Sequence, residues 1–398
     1  MEKRTGLFSN GIIWFGVAIS VSEIEAGIEI GAAAARSSLW LPLVLGHVLG
    51  GILLFFVGLV GARVRKNAME TTSSTFGKYG SKFFAALNVF QLLAWVAVLN
   101  AQGASALAGL KLPISFPLTC VILAVLIAIW VFVGIKRSAN VTTVVMAALA
   151  ALLAVLTVKL FVVGSSDASG ALAAGAATSA ALLGFWNIFE ISIAMPISWL
   201  PVISDYTKDV EKPVKATAVS AAAYTFASLW MYVIGIQISG IGADNNIAQA
   251  ILLAGLGIPG IIIVVLSTVT TNFLAANSAG ESSKAIWGKI NPKVAGVVVS
   301  LLSAAFAISG IMEHYISFLY LIASVFAPMA AVLLVSFYFE RSSEPKKSFW
   351  LWNLFSWLAG FVVYQVAVHQ ESVFLGPTLL AVVVSVAFAY GRVLVKKA

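Results

Sequence analysis

The sequence of 398 residues holds one cysteine, three histidines and few charges, Asp, Glu, Lys and Arg together making up 10% of it. The lone Cys120 excludes a disulfide framework and any cysteine-based metal site. Inside an apolar run it reads as a small buried hydrophobe. The histidines, His47, His314 and His369, fall on separate segments, and no HExxH, paired-cysteine or Gly-rich phosphate-loop motif accompanies them. So little charge excludes an ordinary soluble enzyme, a disordered tail and a fibrous repeat. The chain is expected to be no enzyme and to carry no cofactor. Basic residues outnumber acidic ones, 24 to 16, but they are scattered through short loops, so nucleic acid is not an expected partner.

What is present is apolar. Hydrophobic residues make up 61% of the chain and the mean hydropathy is +1.01; the expected solvent for most of it is a lipid bilayer. At about 20 residues per crossing, the runs bounded by charge, Pro or Gly give twelve candidate spans, at 10–34, 38–61, 82–109, 115–135, 141–163, 178–204, 215–241, 258–280, 292–311, 314–339, 348–368 and 372–393. The expectation is an all-α polytopic membrane protein forming a single transmembrane domain. With the N-terminus inside, 21 of the 24 Lys and Arg fall on cytoplasmic segments, leaving Arg36, Lys111 and Lys159 toward the other side. That asymmetry places both termini in the cytoplasm and the protein in the plasma or cytoplasmic (inner) membrane. Lys3 and Arg4 before an apolar run mimic a secretory signal, but the run is too long and carries three glutamates, so cleavage is not expected.

Carboxylates at bilayer depth are costly and mark cavities or pathways. Glu23, Glu25 and Glu29 in span 1 and Glu190 in span 6 are such residues. Glu25 and Glu29 share a helix face, whereas Glu23 lies about 200° from Glu25. Glu29 reads as interfacial. Span 6 contains Pro196 and Pro201, which remove amide donors and predict a kink or unwinding near Pro196. Span 3 aligns Asn88, Gln91, Trp95, Leu99 and Gln102 within about an 80° arc, either as core packing or as a flat platform with amides for a planar ring. In span 8, Ser267, Thr270 and Thr271 put hydroxyls on one face. They serve their own helix backbone or, as an oxygen-only set, a hard monovalent cation. Trp14-Phe15 and Ile19-Ser20-Val21 are faintly like Phe185-Trp186 and Ile191-Ser192-Ile193. Five spans separate them, which is the arrangement of an inverted repeat. The two units would cover 10–163 and 178–339, with two extra helices in 346–393. His47 reads as a satisfied interhelical residue.

The segment Ala194-Met-Pro-Ile-Ser-Trp-Leu-Pro-Val-Ile-Ser-Asp-Tyr-Thr207 resembles the helix 6 signature of nucleobase:cation symporter family 1, in its putative hydroxymethylpyrimidine transporter branch. Thr270-Thr271-Asn272, Ser278-Ala279-Gly280, Trp14-Phe15-Gly16, Ser22-Glu23-Ile24 and Gln91 with Trp95 look like the same branch. The resemblance implies a LeuT-type fold of two inverted five-helix repeats and uptake of a flat nitrogen heterocycle with Na⁺ or H⁺. It also implies that Trp95 stacks on the ring and that Glu23, the segment around Met195 to Ser198, and Asn272 or Asn277 contact its edges. The cation would lie between carbonyls near Ile19 and Ser22 and the oxygens of Ser267, Thr270 and Thr271. Leu99 stands where several members carry a glutamine. Independently, a carboxylate such as Glu23 or Glu190 suits the amine edge of an aminopyrimidine. The hydroxyl cluster favours Na⁺ as coupling ion, with a proton on Glu23 or Glu190 the alternative. An amino acid or other small-solute symporter on the same fold is the alternative function.

Overall fold

A computed structural model of the protein describes residues 4–109, 113–171, 183–241, 247–253, 255–340, 347–370 and 374–397. The expected first span is two helices, α1 (Leu7–Ala18) and α2 (Val21–Ala33), bent by 51°. Ser20 decides where α2 starts: its backbone is extended and its hydroxyl accepts the Glu23 amide at 3.2 Å, the N-cap arrangement that replaces a missing helical partner. α3 (Trp40–Val64) follows. A Cβ added at its Gly46, Gly50 or Gly61 would strike Ser192, Pro196 or Ser204, so this helix approaches its neighbour through small residues, as buried membrane helices do. α4 (Ala68–Gly109) turns at Gly77, whose φ of 71° suits glycine alone; the expected 82–109 span lies within its long arm.

α5 (Phe116–Val133) and α6 (Ile135–Ala171) follow. The interruption expected near Pro196 falls just after it. Pro196 sits inside α7 (Phe185–Ser198), and the chain leaves the helix at Trp199 before resuming in α8 (Ile203–Thr207). One proline removes one amide, which a helix tolerates; the break falls instead where other residues serve the freed carbonyls. α9 (Pro213–Ile238), α10 (Ile247–Leu253), α11 (Gly257–Ile286), α12 (Pro292–Ile308), a 3₁₀ turn (Ile311–His314) and α13 (Tyr315–Phe339) come next, and α14 (Lys347–Ala367) and α15 (Pro377–Lys397) end the chain.

Among the described residues eight helices are long and apolar enough to cross a bilayer, and the bent α1/α2 pair makes a ninth. The other expected crossings are shorter or interrupted: Met146–Val162 within α6, α7 with α8, and Pro292–Ile308. Packing divides the helices into two groups. α1/α2, α3, α7/α8 and α9 pack on one another, and α4, α5, α11 and α12 form a second set. α14 and α15 pack against each other and against α13, and Arg392 of α15 pairs with Glu340 just beyond α13.

Candidate functional site

The two helix breaks face the second helix group, and each is served by one of its members. At the α1/α2 break the Ile19 carbonyl accepts Ser267 Oγ at 3.0 Å and Thr271 Oγ1 at 3.3 Å, and Thr271 also reaches the Val17 carbonyl at 3.3 Å. These hydroxyls come from α11, where a spacing of four residues puts them on one face. At the α7/α8 break the donors are amides of α4. Asn88 Nδ2 donates to the Pro201 carbonyl at 3.1 Å and Gln91 Nε2 to the Ser198 carbonyl at 3.2 Å. Gln91 also donates to Asn88 Oδ1, and Asn88 to Ser282 Oγ of α11, both at 2.8 Å. The span 3 amides therefore act first on protein backbone.

Of the five residues expected around a cation, Ile19, Ser267 and Thr271 meet; the Val17 carbonyl, which the sequence did not single out, joins them. Two hydroxyls turn elsewhere. Thr270 bonds the Leu266 carbonyl of its own helix at 2.6 Å, the usual resting place of a helical threonine. Ser22, expected to offer its carbonyl, has that oxygen accepting Tyr315 Oη at 3.4 Å. Its hydroxyl donates to Gln102 Oε1 at 2.6 Å, and Gln102 Nε2 donates on to Glu25 at 2.8 Å. The converging donor set is four neutral oxygens, chemistry that fits a hard monovalent cation. Among the described residues no group of three His, Cys, Asp or Glu side chains forms a metal site.

Trp95, on α4, is 8% exposed and packs edge-on against Tyr315 and Phe318, with ring centres 6.2 and 5.4 Å away. Its indole N–H is buried without a partner, as are both amide atoms of Asn272 and the free oxygen of Gln91. Buried polar groups are ordinarily paired, so these atoms hold hydrogen-bonding capacity that the protein leaves unused. Asn272 lies one turn beyond Thr268, which packs on Gly103 of α4. A second aromatic cluster stands by the breaks: Trp14 of α1 meets Trp199, Tyr206 and Tyr224 edge-on at 5.9 to 6.0 Å. Asn277 and Ser278 reach the Tyr206 hydroxyl at 3.5 and 3.3 Å, and Tyr206 donates to the Leu274 carbonyl. Met195 and Ser198 are buried at the end of α7, and the Ser198 hydroxyl returns to the Met195 carbonyl at 2.6 Å.

Glu23 opens α2 and is 2% exposed. Its carboxylate accepts Tyr224 Oη at 2.9 Å and Ser228 Oγ at 2.8 Å, both from α9. Ser228 in turn lies 2.8 Å from His47 Nε2, while His47 Nδ1 lies 2.6 Å from Ser192 Oγ of α7. Glu23, Ser228, His47 and Ser192 thus link α2, α9, α3 and α7, the four members of one helix group. His47 is the satisfied interhelical residue expected. Tyr224 and Ser228 were missed, although their spacing of four on one helix was a readable signal.

Glu190 is placed away from this set. Its carboxylate accepts the Thr378 amide at 3.0 Å and the Thr378 hydroxyl at 2.7 Å, so it caps the start of α15, where amides lacking helical partners attract an anion. The expectation that Glu190 shares an amine edge with Glu23 is corrected: its oxygens are directed to α15, a helix whose arrival no local pattern announces. The opposite face of α7 carries Ser192 toward His47, so the two polar residues serve different neighbours.

Comparison with known proteins places this geometry in context. A family model described as permease for cytosine/purines, uracil, thiamine, allantoin matches residues 1–349. The match ends as α14 begins. Cytosine permease of Escherichia coli strain K12 is 21% identical over 340 residues, covering 85% of this chain and 80% of that protein. The structure of a nucleobase-cation-symport-1 family transporter, in a closed conformation with bromovinylhydantoin bound, superposes with a TM-score of 0.76 at 19% identity, over 99% of this chain and 92% of that one. A Na⁺-coupled sialic acid symporter in a substrate-bound outward-open state gives a TM-score of 0.73 at 12% identity, over 98% and 90%. The fold is that of an all-α polytopic membrane transporter.

Proposed function

The chain belongs to this permease family for cytosine/purines, uracil, thiamine and allantoin, and from that premise we propose that it imports a flat pyrimidine-type heterocycle, hydroxymethylpyrimidine or cytosine-like, by cation symport. The observation that carries the reading is the set of unpaired buried groups on α4 and α11. Asn272 offers a donor and an acceptor side by side, the complement of a ring nitrogen next to an exocyclic amine. Trp95 supplies the flat face and an N–H, and Gln91 a spare acceptor. Glu23, with lone pairs beyond the two it gives to Tyr224 and Ser228, completes an amine edge. Met195, Ser198 and Asn277 border the α7/α8 break and its aromatic cluster.

The Ile19 and Val17 carbonyls with Ser267 and Thr271 are the oxygens that would hold Na⁺, whose gradient supplies the driving force; H⁺ is the alternative. The hydroxyls donate to the carbonyls in this structure and, by rotating, present lone pairs instead. The two helix groups are the moving parts of alternating access, because packing within each is far denser than between them. The units 10–163 and 178–339 form the inverted repeats, each opening on a broken helix. The protein sits in the cytoplasmic membrane with both termini inside.

Thermal stability of the purified protein, with and without Na⁺, tests the reading. Cytosine or hydroxymethylpyrimidine should raise the midpoint by mass action on the folded state, and more so in Na⁺ than in K⁺. Stabilisation by amino acids and not by heterocycles would make it a small-solute symporter of the same fold.

A further inference from the structure

A second site lies apart from the helix breaks, where the kink of α4, the end of α11 and the beginning of α14 meet. They enclose a cleft of about 740 Å³ lined by Asn67, Glu70, Ser73, Lys78, Ser81, Lys82, Lys284, Trp287 and Trp350, among others. Among the described residues none of the three lysines has an ion-pair partner; the ion pairs present join Lys208 to Glu281 and Arg392 to Glu340. The lining sets these three lysines against one acid and so stays net basic, and that acid is engaged with the backbone. Glu70 Oε2 accepts the Asn67 amide at 3.1 Å while Asn67 Oδ1 accepts the Glu70 amide at 2.8 Å, a reciprocal cap.

Two further features mark the cleft as a receiving site rather than a solvated face. The Trp350 indole N–H is buried and unpaired, with its ring held against Gly77, where no side chain intervenes. Trp287, in the lining, is 61% exposed, an amphipathic residue of the kind that settles at a membrane–water boundary. Free lysines, an unused indole donor and an interfacial aromatic call for a ligand with a phosphate at one end and apolar chains at the other. The volume far exceeds the needs of a bare phosphate ion.

We propose that this cleft binds the phosphate headgroup of an anionic glycerophospholipid at the basic end of the helix bundle, Lys78, Lys82 and Lys284 facing the phosphate and Trp350 donating to it. The site joins α4 and α11, which carry the donors of both breaks, to α14, which lies almost wholly beyond the family match. A bound lipid therefore fastens the C-terminal helices to the transport core.

Native mass spectrometry and thermal unfolding of the full chain, in micelles supplied with phosphatidylglycerol or phosphatidylcholine, test the proposal. The wild type should retain phosphatidylglycerol preferentially and gain stability from it. Replacing Lys78, Lys82 and Lys284 together with Gln should weaken that retention by about five-fold per lysine and leave phosphatidylcholine retention unchanged. The same number of charges removed at Lys66, Lys212 and Lys215 should leave the preference intact. Trp350→Phe, which keeps the ring and loses the N–H, should weaken it by a few-fold and serves if the triple variant does not fold. Undiminished preference in the cleft variants overturns the site, and an equal loss in the control triple reduces it to diffuse charge attraction. Inorganic phosphate at millimolar concentration reproducing the stabilisation without lipid would make the ligand a free anion, which also overturns the proposal.

Discussion

The two helix breaks differ in the backbone, extended at Ser20 but a run of turns from Trp199 to Val202, and they differ in what serves them. At the α1/α2 break the donors are hydroxyls, Ser267 and Thr271; at the α7/α8 break they are amides, Asn88 and Gln91. A hydroxyl is donor and acceptor on one atom, so a small rotation trades a hydrogen bond to a carbonyl for a lone pair facing the same space. An amide NH₂ has no lone pair to present. The first break can therefore alternate between being closed by its neighbours and sharing a cation with them, whereas the second is held in one arrangement. At the second break both carbonyls are already held by amide N–H groups, and the Gln91 side-chain oxygen is the acceptor left over. The cost of baring each also differs, since a carbonyl without its amide is left unsatisfied in a buried place.

The comparison is broken most severely at Thr271. Thr271→Ala should abolish the stimulation of substrate binding by Na⁺ at fixed pH, measured by binding in Na⁺ against K⁺, while changing the unfolding midpoint little. Na⁺ stimulation that survives would remove the first break from the coupling scheme; binding that ignores Na⁺ but follows pH would transfer coupling to a proton. Trp95→Ala comes next. Loss of a stacking face is worth about 1 to 3 kcal/mol, so heterocycle affinity should fall about five-fold or more by equilibrium binding, with Na⁺ dependence kept.

Asn88→Ala should give the converse of Thr271→Ala. It strips the Pro201 carbonyl of its amide and should cost about 1 to 3 kcal/mol of stability, read as a lower unfolding midpoint, with the Na⁺ response intact. A variant as stable as the wild type would mean the second break does not depend on α4. Glu190→Gln should cost less, about 1 kcal/mol, through the weakened cap of α15, and leave heterocycle affinity unchanged; a large affinity loss would return Glu190 to the substrate site. The orientation of both breaks is checked without any energetic effect. Single cysteines introduced at Glu313 and Lys212, both exposed, should label from opposite sides of the membrane, and labelling from one side would overturn the topology.

Span 1 is expected from the sequence as one run over 10–34, although Ser20 followed three positions later by Glu23 is a helix-start pattern. The Ser267 and Thr271 face, by contrast, follows from spacing alone. The second break was announced to within a few residues by Pro196 and Pro201, but proline announces a missing donor and not where the freed carbonyls find partners. Those partners, Asn88 and Gln91, lie about a hundred residues away. The same spacing that aligned Ser267, Thr270 and Thr271 did not reveal that Thr270 stays on its own helix.

The sequence by itself determined that this is a chain of membrane-crossing helices. That follows from a quantity summed along the chain, apolar runs long enough for a bilayer. Only the tertiary structure decided the partner of each intramembrane polar group. Glu23 and Glu190 read alike as mid-membrane carboxylates, yet one joins Tyr224, Ser228 and His47, and the other caps a C-terminal helix. A buried carboxylate must find donors. Which donors it finds depends on which helices pack beside it, and helices distant in sequence become neighbours only when the chain has folded.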